Sequence, residues 1–379
     1  MLKLGRNSVQ HILFNSRCRW VFGYTKSAPV DAGNFDFTVD YLVTSLGFSK
    51  EEAIVASSKV RPLKSAVKPN SVVNLLETSG FNETQIKKVI FSLPRILSCH
   101  VDKTLKPKLK AFQDLGLHGS DLADVITLHP HVLLRGLNRH ILPTLELLKS
   151  VIGDKFVVLD ALKKGSWLLG SGVLKSLPSN IALLESYGVS MDQFKMMFLR
   201  GGNHFVKDTK WLQAILIRVE QKLGIPRSSS MFLHGISAMA GMSEECLESK
   251  FELFRSFGWS EVDILTLARR NPLILALSES KLRSSLNFFM NDLGYQPAEI
   301  ATHVCLLTIS LERRAIPRNA VLEVLKDKRL IKRNYRLSSC LGLTDERFFK
   351  KFVLPFKDEV LDLYTDYMKR AGSALKTAE

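Results

Sequence analysis

The chain has 379 residues, 46% of them hydrophobic, and its 53 Lys and Arg outnumber 37 Asp and Glu to give a net charge of +16 and a pI near 9.6. That excess points to a polyanionic partner and is silent on fold. No apolar run reaches the ~18 residues of a membrane span, and five scattered cysteines (Cys18, Cys99, Cys246, Cys305, Cys340) without a C-x-x-C pair argue against a zinc or disulfide framework.

The first thirty residues hold five Lys/Arg and no Asp or Glu, the first acid being Asp31. Basic, acid-free and weakly amphipathic composition is that of an organelle transit peptide, with a plain basic arm as the competing explanation. Only three serines occur there, which favours the mitochondrion, with the chloroplast as alternative. Asn82-Glu83-Thr84 matches a glycosylation acceptor, but nothing secretory accompanies it.

From there the chain repeats itself. Glycines preceded by an apolar helical run stand at Gly47, Gly80, Gly116, Gly153, Gly188, Gly224, Gly258 and Gly294, at intervals of 33 to 37 residues. Apolar residues follow six, nine and ten positions later (Ile86, Val89, Ile90; Leu122, Val125, Ile126; Ile264, Leu267, Ala268), and a proline arrives at fourteen (Pro94, Pro130, Pro272). Each unit is therefore expected to be a helix, a proline turn and a second helix, with glycine closing the second helix in a left-handed conformation. Neither helix can bury its apolar stripe alone, so stacked units must share one core. The expected fold is all-α: a solenoid of about eight units over 37–315, a basic cap over 316–370 and a tail over 371–379. Three units carry Trp167, Gly202 and Ala238 where the proline should be, which reads as repeat drift.

Cations recur near the proline turns: Arg61, Arg95, Arg135, Lys163, Lys164, Lys207, Lys210, Arg269 and Arg270. From Arg313 to Arg336 nine Lys/Arg meet only Glu323 and Asp327; Arg313, Arg314, Arg318, Lys328, Arg329, Lys332 and Arg333 are the candidates there. A ladder of such residues along stacked units would match the spaced phosphates of a nucleic acid; a merely solvated capping face is the structural explanation for the run.

Catalytic signatures are lacking. Gly165–Gly172 (GSWLLGSG) resembles a phosphate loop, but Ser171 and Gly172 follow Gly170 where Lys and Ser/Thr are needed. His129 and His131 flank Pro130 with no carboxylate or third ligand nearby, so no metal site, cofactor or enzymatic role is expected.

The motifs "SLPRILSCHVDKTLKPKLKAFQDLG" (92–116) and "RNPLILALSESKLRSSLNFFMNDLG" (270–294) resemble the repeats of the mTERF family, the mitochondrial transcription termination factors. The segment from Leu311 to Val353 looks like the tail of its land-plant branch. The resemblance covers about 37–370 and implies a right-handed superhelix of helical triplets that binds double-stranded DNA or structured RNA in an organelle, as a monomer. It further implies roles such as transcription termination, intron splicing or ribosomal-RNA maturation, alongside organellar transcription or splicing proteins. The alternative is a HEAT- or armadillo-like protein-binding scaffold. A pentatricopeptide-type reader of single bases fits less well, because its units are simple helix pairs without the proline turn.

Overall fold

The computed structural model describes residues 37–331 and 335–357. The expected transit peptide and tail, the expected cap beyond 357, and Lys332 and Arg333 lie outside these residues.

The described residues are helical and contain no strand. They divide into two compact units, whose boundary lies at Ala214/Ile215. The first unit holds α1 (Phe37–Leu46), α2 (Lys50–Ser57), α3 (Val67–Thr78), α4 (Glu83–Ser92), α5 (Lys106–Leu115), α6 (Gly119–Leu128), α7 (Leu142–Ile152), α8 (Lys155–Lys164), α9 (Ser171–Ser186), α10 (Met191–Leu199) and the start of α11 (Thr209–Leu223). The second holds the rest of α11 and then α12 (Phe232–Ala240), α13 (Glu244–Ser256), α14 (Glu261–Arg270), α15 (Glu279–Leu286), α16 (Pro297–Thr302), α17 (Cys305–Thr308), α18 (Ile316–Asp327), α19 (Leu337–Leu341) and α20 (Asp345–Phe348).

The repeat follows its sequence closely. All eight phase-setting glycines adopt positive φ, from 60° to 113°. The first helices then open on caps: Ser49, Asn82, Ser190 and Ser260 each form a reciprocal capping box with the residue three positions on. Ile86, Val89 and Ile90 on α4 and Ile264, Leu267 and Ala268 on α14 are buried, as the offsets require. The proline opens a tight 3-10 turn (Pro94–Ser98, Pro130–Leu134, Pro272–Ala276), a third helical piece in each unit.

Where proline is missing, glycine ends the first helix instead. Gly165 follows α8, Gly201 (φ 109°) follows α10, and 3-10 turns still form at Ser166–Leu169 and Asn203–Val206. The unit opening at Gly224 departs further, because Ala238 lies inside α12 and no separate turn follows.

A second proline shapes the entry to the second helices. In VDKTLKP, LNRHILP and LERRAIP the five residues before the α-helix form a wide π turn, with the amides of Lys106, Leu142 and Ile316 bonding five residues back. Pro107, Pro143 and Pro317 have no amide to give and their rings crowd the carbonyl four residues back, so the widened turn relieves both conflicts. The third of these sequences leads into α18, whose entry has the form seen at α5 and α7. Arg329, 35 residues after Gly294, takes the glycine's place with φ 55°.

Successive turns are tied to the preceding second helix by buried and half-buried polar side chains. After each 3-10 turn the backbone extends, and its last carbonyls find no amide in their own segment. Lys108 on α5 donates to Leu133 O at 2.6 Å, and Asn180 on α9 donates to Phe205 O and Lys207 O, both at 2.8 Å. Lys250 and Lys281 bond Leu277 O and Ile309 O in the same way, and His140 Nε2 lies 3.2 Å from Leu169 O. These clamps hold the exits at Leu133, Leu169, Phe205, Leu277 and Ile309 against the preceding second helix.

Candidate nucleic-acid interface

Arg135 and Lys207 are the first residues beyond their turns, where the chain is extended, and both are exposed. Arg313 stands at the same offset, nineteen residues after its glycine, and is also exposed. None of the three forms an ion pair with a described residue. Lys210, one turn further on at the start of α11, is equally exposed.

Other candidates are partly engaged. Arg95 is exposed, with Nε 3.3 Å from Lys59 O of the preceding unit. Lys163 pairs with Asp121 at 2.7 Å and Lys164 with Asp160 at 2.6 Å, both on the surface, where such pairs hold weakly. Arg269 packs its guanidinium against Gly224, and Arg270 approaches Thr302 O at 3.5 Å. Lys328 and Arg329 are exposed at the end of α18.

Arg318 must be withdrawn. It is fully buried on α18, donating to Cys340 O at 2.8 Å and Leu343 O at 3.0 Å, pairing with Asp345 at 2.7 Å and stacking over Phe348. Arg314 shares the same carboxylate at 2.6 Å. Two of the cations in the basic run are thus committed to fastening α18 to the segment after it, an assignment that charge counting alone could not make.

Residues that the proline-turn pattern missed lie at the entries of the second helices. Lys68 is the second residue of α3, Lys103 and Arg139 lie in the π turns before α5 and α7, and Lys175 is the fifth residue of α9; all four are exposed. Their signal was present as an offset of 22 or 23 residues from the glycine for Lys103, Arg139, Lys175 and Lys210. It acquires meaning only once the helix entries are known. An open groove of about 490 Å³ adjoins Lys68, lined by Lys68, Ser71 and Asn74 from α3 and by His100, Asp102 and Lys106 at the entry to α5.

The histidine pair separates. His131 is exposed, whereas His129 closes α6 in the interior with Nε2 unpartnered. Burial pushes its pKa down to about 4, and does the same to His204 within the turn at Asn203–Val206. Among the described residues no group of three His, Cys, Asp or Glu could hold a metal. The glycines of GSWLLGSG serve packing: a Cβ at Gly172 would sit 2.3 Å from Val206 O.

An mTERF family model matches residues 73–199 and 175–349, which together span most of the chain. The chain belongs to the mTERF family. Membership places it among nucleic-acid-binding, generally non-enzymatic proteins of organellar gene expression. No curated protein matches it. The mTERF repeats here are the helix, 3-10 turn and second helix described above, and no helix among the described residues is long and apolar enough to cross a membrane.

Proposed function

We propose that this mTERF protein binds double-stranded DNA or structured RNA in the mitochondrion and regulates gene expression there, by termination or by intron splicing, through binding alone. The observation that carries this reading is the recurrence of exposed, unpaired cations at one repeat offset, Arg135, Lys207 and Arg313. They are placed to neutralise phosphates, which supply affinity without reading sequence. A protein-binding scaffold of the same helices has no use for such a recurrence.

The test is binding of the protein to a random DNA duplex, an RNA hairpin and a single strand across a salt series, with Arg135, Lys207 and Arg313 changed to Gln in a second protein. Tight wild-type binding with a log–log salt slope flattened by about 0.9 per residue removed on duplex DNA supports the reading. Affinity no better than ~10⁻⁴ M for every polymer at physiological salt overturns it. Import of a fused reporter into mitochondria or chloroplasts decides the compartment.

A further inference from the structure

Residues 335–357 carry five Lys/Arg and two acids. Both acids are committed. Asp345 is shared by Arg314 and Arg318, and Glu346 pairs with Lys350. Lys351, next along, is exposed and forms no ion pair with a described residue. Its ammonium lies instead 4.6 Å from the centre of the Tyr335 ring and 5.1 Å from that of Phe352. Ring faces attract a cation but leave its charge unneutralised.

That ammonium stands in a cleft of about 410 Å³ between α19 and the π turn Phe349–Val353. Arg336, Ser339 and Cys340 line the α19 side, and no acid lines the cleft. Burial raises the pKa of the Cys340 thiol, while Lys351, Arg318 and Lys326 all pull it down, so the field around that thiol is positive. A cleft with cations on both sides and no acid has the electrostatics of an anion site.

Ser339 places a hydroxyl at this site. It is exposed, and its hydroxyl bonds to no described residue. Ser338 beside it is buried, with its amide bonded to the Tyr295 hydroxyl at 3.2 Å. Arg336 precedes Ser339 by three residues, with its guanidinium largely in solvent on an ion pair with Glu299. Exposed pairs of that kind are weak, so Arg336 can be read by an acidic protein surface.

We propose that Ser339 is a phosphorylation site for an arginine-directed serine kinase, and that Lys351 and Arg336 hold the phosphate. Transfer from ATP forms the bond from Ser339 Oγ to the γ-phosphorus and breaks the bond from that phosphorus to the bridging oxygen. ADP leaves, and the hydroxyl proton passes to the catalytic carboxylate of the kinase. The product brings three acceptor oxygens and a charge of about −1.5 to −2 into a cleft that lacks any anion. Charge-assisted bonds to Lys351 then tie α19 to the π turn, beside the fastening that Asp345 already makes.

The experiment incubates the full chain with Mg-ATP and the catalytic subunit of an arginine-directed serine kinase, and maps phosphate by peptide mass spectrometry. Phosphate is expected on Ser339 and not on Ser338. A ³¹P titration should place its second pKa below the value of about 6 usual for phosphoserine, by about one or more, because cations favour the dianion. The thermal midpoint should exceed that of Ser339→Ala treated identically; untreated, that variant should melt with wild type. Lys351→Gln should still accept the phosphate, but with a pKa nearer 6 and a smaller gain in midpoint. Absence of phosphate on Ser339 overturns the proposal. A phosphate that titrates near 6 in both wild type and Lys351→Gln overturns it too. No nucleic acid enters these measurements, so their outcome is separate from that of the proposed function.

Discussion

The ammonium of Lys108 donates a 2.6 Å hydrogen bond to the main-chain oxygen of Leu133, one repeat further along, in a site where both residues are buried. Burial lowers the lysine pKa, so the interior holds this cation only because a carbonyl without another partner meets it. The same relationship recurs at Lys250 with Leu277 and, in neutral form, at Asn180 with Phe205.

Lys108→Met keeps the stem's packing and leaves Leu133 O buried and unpaired. The expected cost is about 1–3 kcal/mol, read as a lower urea midpoint with an unchanged slope. A midpoint equal to wild type would show that water or backbone movement satisfies the carbonyl, and the clamp would not be a source of stability.

Arg318 and Arg314 share Asp345 but differ in burial, and their variants should differ accordingly. Arg318→Met removes the partner of two carbonyls and a carboxylate at a fully buried position and should destabilise by about 3–5 kcal/mol. Arg314→Gln, on a partly exposed pair, should cost no more than about 1 kcal/mol. Denaturation of the two proteins checks the ranking. Comparable losses would contradict the assignment of Arg318 as the residue that fastens α18.

Acid should loosen the protein before its carboxylates titrate. His129 and His204 have folded pKa values lowered to about 4, so the unfolded chain, with histidines near 6.5, takes up their protons first. Their contribution is complete above about pH 6.5 and is lost as pH falls towards 4, on the order of 2 kcal/mol each by pH 5. Urea midpoints at pH 7 and pH 5 measure it, and His204→Leu should remove about half of the drop. Identical midpoints in wild type at the two pH values would refute the buried-neutral state.

Two glycines at equivalent turns predict different costs. Gly188 has φ 81° with open space around the missing Cβ, so Gly188→Ala should cost about 1–2 kcal/mol from conformation alone. Gly80 has φ 99°, and a Cβ there would lie 2.6 Å from Gly119 Cα, so Gly80→Ala should cost more. Thermal midpoints of the two variants decide it.

Much of the fold was legible in the sequence because its causes are local. Glycine at positive φ, serine and asparagine caps, and proline at the start of a 3-10 turn each depend on a few neighbouring residues, and they recur every 35 residues or so. Family membership and the all-α class follow from that recurrence. Charge and offset also picked out Arg135 and Lys207, which are exposed. What the sequence could not decide was the fate of each charge, because that depends on residues far away in the chain. Arg318 and Arg135 look alike in a basic, proline-flanked context. Only packing puts one under Cys340, Leu343 and Asp345 and the other in water. Local chemistry wrote the repeat; desolvation and long-range hydrogen bonding chose which of its cations remain in water.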